Sequence, residues 1–475
     1  MGQRPFRAEG PPIPLKHEIQ MRKEPRSAKD EELSSLEFKS AGHSFGARRA
    51  DRVCFRASSS WAVLKRWAGA RLWRACPTLL LLAAGAARVV RADGEADTAT
   101  VYLADGARQV GVVRSISPSE LVIGPDSSLR FATADVVRIE FPNHGAPPPR
   151  ASLIQLANGD RIVAGLSSMS DESLVALWKS YPDLPPVQIP AAAVSGILVN
   201  VPDGATEKTR AFRQVFGRRE KSDTVLLLNG DRLAGDLTSF DQAALKLSQA
   251  GKILQIELPR VRGIAFSSDL TSLPAPHRPR VAVTLGDGSQ LTGWNANRDP
   301  GGPLRLSSLL ASTLELPLSA VVAIRFLDGR TTYLSDLQPA ESRLAPYFGS
   351  SIAIPPAPDQ SAAGGPLLVR GRQYAKGLGT RSQSRITYDL AGQFRSFQAT
   401  AAIDDYAAGK GSVRFAVDVD RVRVWTSPLL TGSSRPLPVG PIDVTGKRQL
   451  ALVVEYGELA DVDDWADWCD AIVIR

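Results

Sequence analysis

Gly371-Arg-Gln-Tyr374-Ala-Lys376-Gly377-Leu-Gly379 opens the stretch that decides the fold. Behind it come Tyr388-Asp-Leu, Phe394-Arg-Ser-Phe397, Ile403-Asp404-Asp405-Tyr406 and Gly411-Ser-Val-Arg-Phe415-Ala-Val-Asp-Val. The chain closes on Asp464-Trp465-Ala-Asp467-Trp468-Cys469-Asp470-Ala471-Ile-Val-Ile. Apolar residues alternate between the glycines: Val413, Phe415, Val417 and Val419, then after one slip Val422 and Val424. Ile386, Tyr388 and Leu390 repeat the pattern, as do 449–454 and 471–474. Period two over short runs bounded by Gly, Pro and Ser marks half-buried strands, and many such runs without helical periodicity predict a β-sandwich.

These pieces also carry a resemblance. Tyr374-x-Lys376-Gly377-Leu-Gly379, Phe394-x-x-Phe397, Ile403-Asp404-Asp405, Gly411-Ser-Val-x-Phe415-x-Val and Asp467-Trp468-x-x-Ala471 resemble NPCBM, a carbohydrate-binding module family found beside glycoside hydrolase family 98 catalytic domains. The match spans residues 331–475 and implies a galactose-binding-like jelly-roll β-sandwich. Two departures stand out: Ala401-Ala402 replaces a step containing glycine, and Trp465 is an addition.

Upstream, one pattern occurs four times between Val101 and Phe326, and a repeat takes precedence over any local reading. Each copy starts with an apolar strand and a tight turn: Asp105-Gly106, Asn158-Gly159, Asn229-Gly230 and Asp287-Gly288. Such dipeptides accept the positive φ that two-residue hairpins require. Each copy ends on an aliphatic or aromatic clamp: Val136-Val137-x-Ile139-x-Phe141, Val194-x-x-Ile197-x-Val199, Val261-x-x-Ile264-x-Phe266 and Val321-x-x-Ile324-x-Phe326. The expected architecture is all-β, with four small Sm-like or SH3-like barrel repeats over 97–142, 151–201, 222–268 and 279–328 ahead of the sandwich. Units this small have little core of their own, so they are expected to pack on one another or to pair their edges. Five connecting segments follow from composition: 142–149 between the first two repeats, 203–219 as a charged, solvated helix or loop, 272–280 between the last two repeats, 331–339 as the joint to the sandwich, and 355–365 as a surface loop.

The net charge of +8 invites a nucleic-acid reading, and its distribution removes it. Residues 1–92 hold 18 of the 57 Lys and Arg and 8 of the 49 Asp and Glu, which leaves 39 basic and 41 acidic residues beyond them. No nucleic-acid partner is expected. The basic excess belongs to a signal peptide at 63–92: Lys65, Arg66, Arg71 and Arg74 precede the apolar run 79–87 and a small-residue cleavage site, Val90-Arg91-Ala92. Nine apolar residues are too few for a stable span, so no membrane anchor is expected after cleavage, and the protein is expected in the periplasm, the cell envelope or outside. Residues 1–62 read as a disordered or misassigned extension. Cys54 and Cys76 precede the cleavage point, leaving Cys469 as a buried thiol with no disulfide partner.

Catalytic constellations are scarce. Past the signal the histidines are His144 and His277, both in connectors, with no HExxH, paired cysteines or phosphate loop. Asp404 and Asp405 are adjacent, and side chains on a continuing strand alternate in face, so the pair does not suit a glycosidase that brackets one bond. No enzyme is expected. The acids, with Asp461, Asp463, Asp464, Asp467 and Asp470, suit two other uses. One is a structural calcium, to which no ligand set is assigned. The other is gripping sugar hydroxyls beside an aromatic ring that covers the C–H face. Phe394, Phe397, Phe415, Asp467 and Trp468 read as structural core. The candidate carbohydrate contacts are Trp465 and Tyr406, the carboxylates of Asp404 and Asp405, and the cations Arg370, Arg372 and Lys376. The expected function is glycan or cell-surface polysaccharide binding, with protein partners for the repeats. The alternative is an envelope scaffold with no sugar site.

Overall fold

A computed structural model describes residues 97–124, 129–143, 151–217, 220–269 and 277–475. The signal peptide, the 1–62 extension, Cys54, Cys76 and His144 lie outside the described residues.

The first repeat runs through strands Thr98–Leu103, Arg108–Ile116, Glu120–Ile123 and Leu129–Ala132, a 3-10 turn at Thr133–Asp135, and the clamp strand Val136–Glu140. The other three copies follow the same order, with clamp strands Val194–Leu198, Val261–Ala265 and Val321–Phe326. The opening hairpins turn on Gly106, Gly159, Gly230 and Gly288, at φ of 87°, 90°, 96° and 92°, where an L-residue would be strained. In each copy the first strand pairs with both the second strand and the clamp, as in Val101 opposite Gln109 and Ile139.

The repeats do pair their edges, and the partners are not chain neighbours in every case. The clamp strand of the first repeat lies antiparallel to that of the fourth, centred on Ile139 opposite Ile324. The clamps of the second and third meet in the same register, Ile197 opposite Ile264. The two pairs join where Arg161 faces Gln290, and Asp160 accepts from Thr292 N and Oγ1 at 2.9 and 2.7 Å. One hydrophobic core, including Ile139, Ile154, Val225 and Ile324, runs through all four copies, so edge pairing supplies the burial that a lone unit lacks.

The outward faces of the two clamp pairs differ. On the second and third repeats they carry Gly196, Leu198, Gly263 and Ala265, and helix α1 (Ala205–Phe216) lies over them. A Cβ on Gly263 would stand 2.6 Å from Val215 Cγ2, and one on Gly196 would stand 2.7 Å from Phe216. The glycines therefore admit the helix. Its Ala211, Phe212 and Val215 are buried while Arg210 and Gln214 face out. The 203–219 segment is thus not a solvated connector: its apolar residues fall at helical spacing, and that side is buried. Gly217 ends the helix, donating to Arg213 O at 2.9 Å.

On the first and fourth repeats the same slots hold Arg138, Glu140, Ala323 and Arg325, and the C-terminal sandwich covers them. One of its sheets orders Ala357–Pro358, Gly377–Arg381, Trp465–Ile474, Ser396–Ile403 and Leu437–Asp443. The other orders Ile352–Ala353, Glu341–Leu344, Ser384–Asp389, Gln449–Tyr456, Ser412–Val419 and Val422–Thr426. The strands of both sheets pair antiparallel, and Phe397, Phe415, Leu452 and Trp468 fill the space between the sheets at 0% exposure. Phe415 and Trp468 meet edge to face, with centroids 5.0 Å apart. Phe394 is 6% exposed and Cys469 is fully buried.

Two connectors differ from the sequence reading. Residues 331–333 form a strand on the sandwich sheet (Thr331 opposite Ile474), because Tyr333 closes a small apolar cluster with Ala104, Val137 and Ile472. Within 355–365, Pro355 and Pro358 are exposed, but Ser361, Ala363 and Gly365 are buried. A Cβ on Gly365 would meet Thr209 of α1 at 2.8 Å, so the loop is small-residue because the helix sits on it. The repeats therefore pack on the sandwich. Among the described residues no helix is long and apolar enough to cross a membrane.

Candidate functional site

Trp465 opens the last strand and Tyr406 sits in the 3-10 turn Asp405–Ala407. The structure brings the two together edge to face, with centroids 5.0 Å apart and both rings half-buried. The face of Trp465 is not open: the Arg381 guanidinium lies 4.5 Å from its centroid and also donates to Asp461 O at 3.3 Å. Asp461 in turn accepts from Tyr347 N at 3.2 Å. Tyr347 packs edge-on against Phe348 and Tyr456, and Phe348 is 86% exposed. One loop end of the sandwich thus carries Tyr406, Trp465, Arg381, Tyr347 and Phe348. Arg381, Tyr347 and Phe348 are not among the residues singled out from sequence. An aromatic pair ahead of Gly349-Ser-Ser was a readable signal; Arg381, at the end of a strand, was not.

The carboxylates are committed elsewhere. The strand ends at Ile403, so the alternation rule does not reach Asp404 and Asp405. Asp404 accepts from Tyr406 N at 2.7 Å and Leu368 N at 3.2 Å. Asp405 accepts from Arg370 N and Gly371 N, both at 2.7 Å. Both therefore brace one hairpin, Leu367–Val369 with Arg372–Tyr374, whose two-residue turn has φ of 51° and 76°. Asp464 accepts from Ser412 N at 2.7 Å and from the Ser382 hydroxyl. Asp467 is fully buried beside Asp404 and neither of its oxygens is hydrogen-bonded at normal geometry. Burial, and after it the Asp404 charge, pushes its carboxyl well above the usual carboxylate range. Among the described residues no group of three or more His, Cys, Asp or Glu is placed to hold a metal ion.

The cations separate. Lys376 is 9% exposed and bonds Asp336 at 2.6 Å and Asp359 at 2.7 Å, over the Tyr333 ring. It braces the sandwich, with two of its three donors spent on these carboxylates. Arg370 donates to Ser433 O at 3.0 Å, within the sandwich, and Arg372 reaches across to the first repeat. Arg372 bonds Glu140 at 2.6 Å, where Arg138 Nε (2.9 Å) and Tyr102 Oη (3.0 Å) also donate. His277 rests 4.9 Å from the Trp294 ring, far along the chain from any of these acids.

Residues 330–474 match the NPCBM/NEW2 domain. A Renibacterium salmoninarum protein named as a candidate endo-alpha-N-acetylgalactosaminidase is 32% identical over 238 residues, 45% of this chain. The chain spans 15% of that relative's length. A CBM51 of a Clostridium perfringens GH95 protein, solved in complex with methyl-galactose, is 28% identical. It covers 30% of this chain and 99% of its own, with a TM-score of 0.27. The CBM51-2 and INT domains of C. perfringens ZmpB, solved in complex with GlcNAc, are 24% identical over 36% of each chain, with a TM-score of 0.28. The match falls on the stretch that carries the NPCBM resemblance in the sequence.

Proposed function

We propose that the protein binds carbohydrate without transforming it, through the loop end of its C-terminal sandwich, and that it does so after export, in the cell envelope or beyond. The NPCBM/NEW2 match over 330–474 carries this reading. The exposed Phe348 ring and the Tyr347 beside it offer an apolar surface for a sugar's C–H face, and Arg381 and Tyr406 offer donors for its hydroxyls. Trp465 backs Arg381. A non-catalytic role is supported by the fate of the acids: Asp404, Asp405 and Asp464 are occupied as acceptors of backbone N–H groups. Glycoside hydrolysis instead asks for two free carboxyl groups across one bond.

A scaffold role without sugar binding is the second reading, favoured by the extensive packing of the repeats on the sandwich and by the covered face of Trp465. A glycan array probed with the full chain separates the two. Selective binding that falls with Phe348→Ala supports the lectin reading, and a flat response supports the scaffold. Release of reducing ends from a bound glycan would establish catalysis and overturn both.

A further inference from the structure

A cleft of about 640 Å³ lies between the first repeat and the sandwich, away from the Trp465 end. Arg108 and Arg138 line it from the repeat, and Arg370, Arg372 and Arg435 from the sandwich. Its acids are spent. Glu140 is held by Arg138, Arg372 and Tyr102, and Asp470 by Arg325. Arg108, exposed and 5.2 Å from the Tyr102 centroid, and Arg435, exposed on the facing wall, form no ion pair among the described residues. The amide nitrogen of Gln398, on the same wall, is buried with no hydrogen bond to any described residue. Pro436, Pro438 and Pro441 give that wall rigid apolar faces without N–H donors. The hairpin turn at Gly106 approaches Pro441 and Gln398 and closes one side. The arginines that reach the cleft from 370–372 are aimed there by the Asp405 clamp on their turn.

We propose that this cleft is a second binding site, which takes an acidic saccharide and holds its carboxylate between Arg108 and Arg435. Two unpaired guanidinium groups on opposite walls suit a carboxylate bridging them. The proline faces and the Gln398 amide suit a ring with apolar C–H faces and several acceptor oxygens, and the volume admits more than one sugar unit. The choice of a saccharide over another carboxylate rests on the carbohydrate-binding reading of 330–474. A neighbouring cleft of about 560 Å³ shares Arg370 and Arg372 and adds Lys208 and the unbonded Gln373 amide, so an extended acidic chain could continue past the Arg372–Glu140 bridge.

The test is calorimetric titration of the full chain with trigalacturonate and with its methyl ester, which has the same size and no charge. The acid is expected to bind at least about tenfold more tightly than the ester, and to weaken with added salt. Arg108→Gln with Arg435→Gln should lose the acid by about tenfold or more while the thermal midpoint stays put, since neither residue is in an ion pair. Phe348→Ala should leave it unchanged. Equal affinity for acid and ester, indifference to the double substitution, or no binding of the acid at millimolar concentration would overturn the proposal. Binding of neutral glycans with no binding of the acid refutes the cleft alone. Arginine-dependent binding of the acid with no neutral glycan bound refutes the reading of the loop end alone.

Discussion

The Arg325 guanidinium grips both carboxylate oxygens of Asp470, Nε to Oδ1 at 3.0 Å and Nη2 to Oδ2 at 3.3 Å, though the two residues stand 145 positions apart. Their side chains are 2% and 6% exposed. Arg325 also faces Arg138 across the clamp pair, so two like charges share one face and Asp470 and Glu140 neutralise them. This network fixes the sandwich on the first and fourth repeats.

Removing one member of such a pair strands the other. Asp470→Asn keeps a residue tolerant of the observed φ of 46° but leaves Arg325 charged and buried, and should destabilise the chain by about 3–5 kcal/mol. Arg325→Met combined with Asp470→Asn should recover most of that loss in denaturant unfolding.

Glu140 gives stability an acid limb. Burial alone would raise its carboxyl, but Arg138, and after it Arg372, outweigh burial and bring it down to about 2. A carboxylate with a lowered folded value contributes stability above the ordinary glutamate range and loses it as pH falls toward about 2. Glu140→Gln should therefore lower stability at pH 7 and flatten the unfolding free energy between roughly pH 4.5 and pH 2.

Asp467 works in the opposite direction. Its carboxyl is raised by burial and by Asp404, so the folded chain holds a proton that the unfolded chain releases, and stability falls as pH rises above the ordinary aspartate range. Asp467→Asn keeps the shape and a donor facing Asp404 without that liability. Its thermal midpoint at pH 7 should equal or exceed the wild type's, and its pH profile should be flatter on the alkaline side.

Much of the fold was legible. The Asp-Gly and Asn-Gly turns with their clamp strands gave the repeats, and the alternation around Phe415 and Val417 gave the sandwich. Pairing order was not legible, because all four clamps present the same inward Val and Ile and any two could meet. The readable difference lay in the outward slots: Gly196, Leu198, Gly263 and Ala265 for a helix, but Arg138, Glu140 and Arg325 for the sandwich. At the site, sequence names residue types and not the partners they bond. Asp405 and Lys376 looked available and are each taken, by the 370–371 turn and by Asp336 with Asp359.

The glycine slots allow a direct check. Gly263→Ala sets a Cβ against Val215 and the Ile197 carbonyl, and should cost about 1–3 kcal/mol. Hydrogen exchange should speed up across 205–216 before it does in the clamp strands.

The loop end itself is tested by the dissociation constant of an array-selected glycan for the full chain and for Phe348→Ala. Phe348 is 86% exposed, so its loss leaves the core intact and any change reports on the ligand. The expected result is affinity weaker by about tenfold or more at an unchanged thermal midpoint. Equal affinities, or no glycan bound by the wild-type chain, would contradict it.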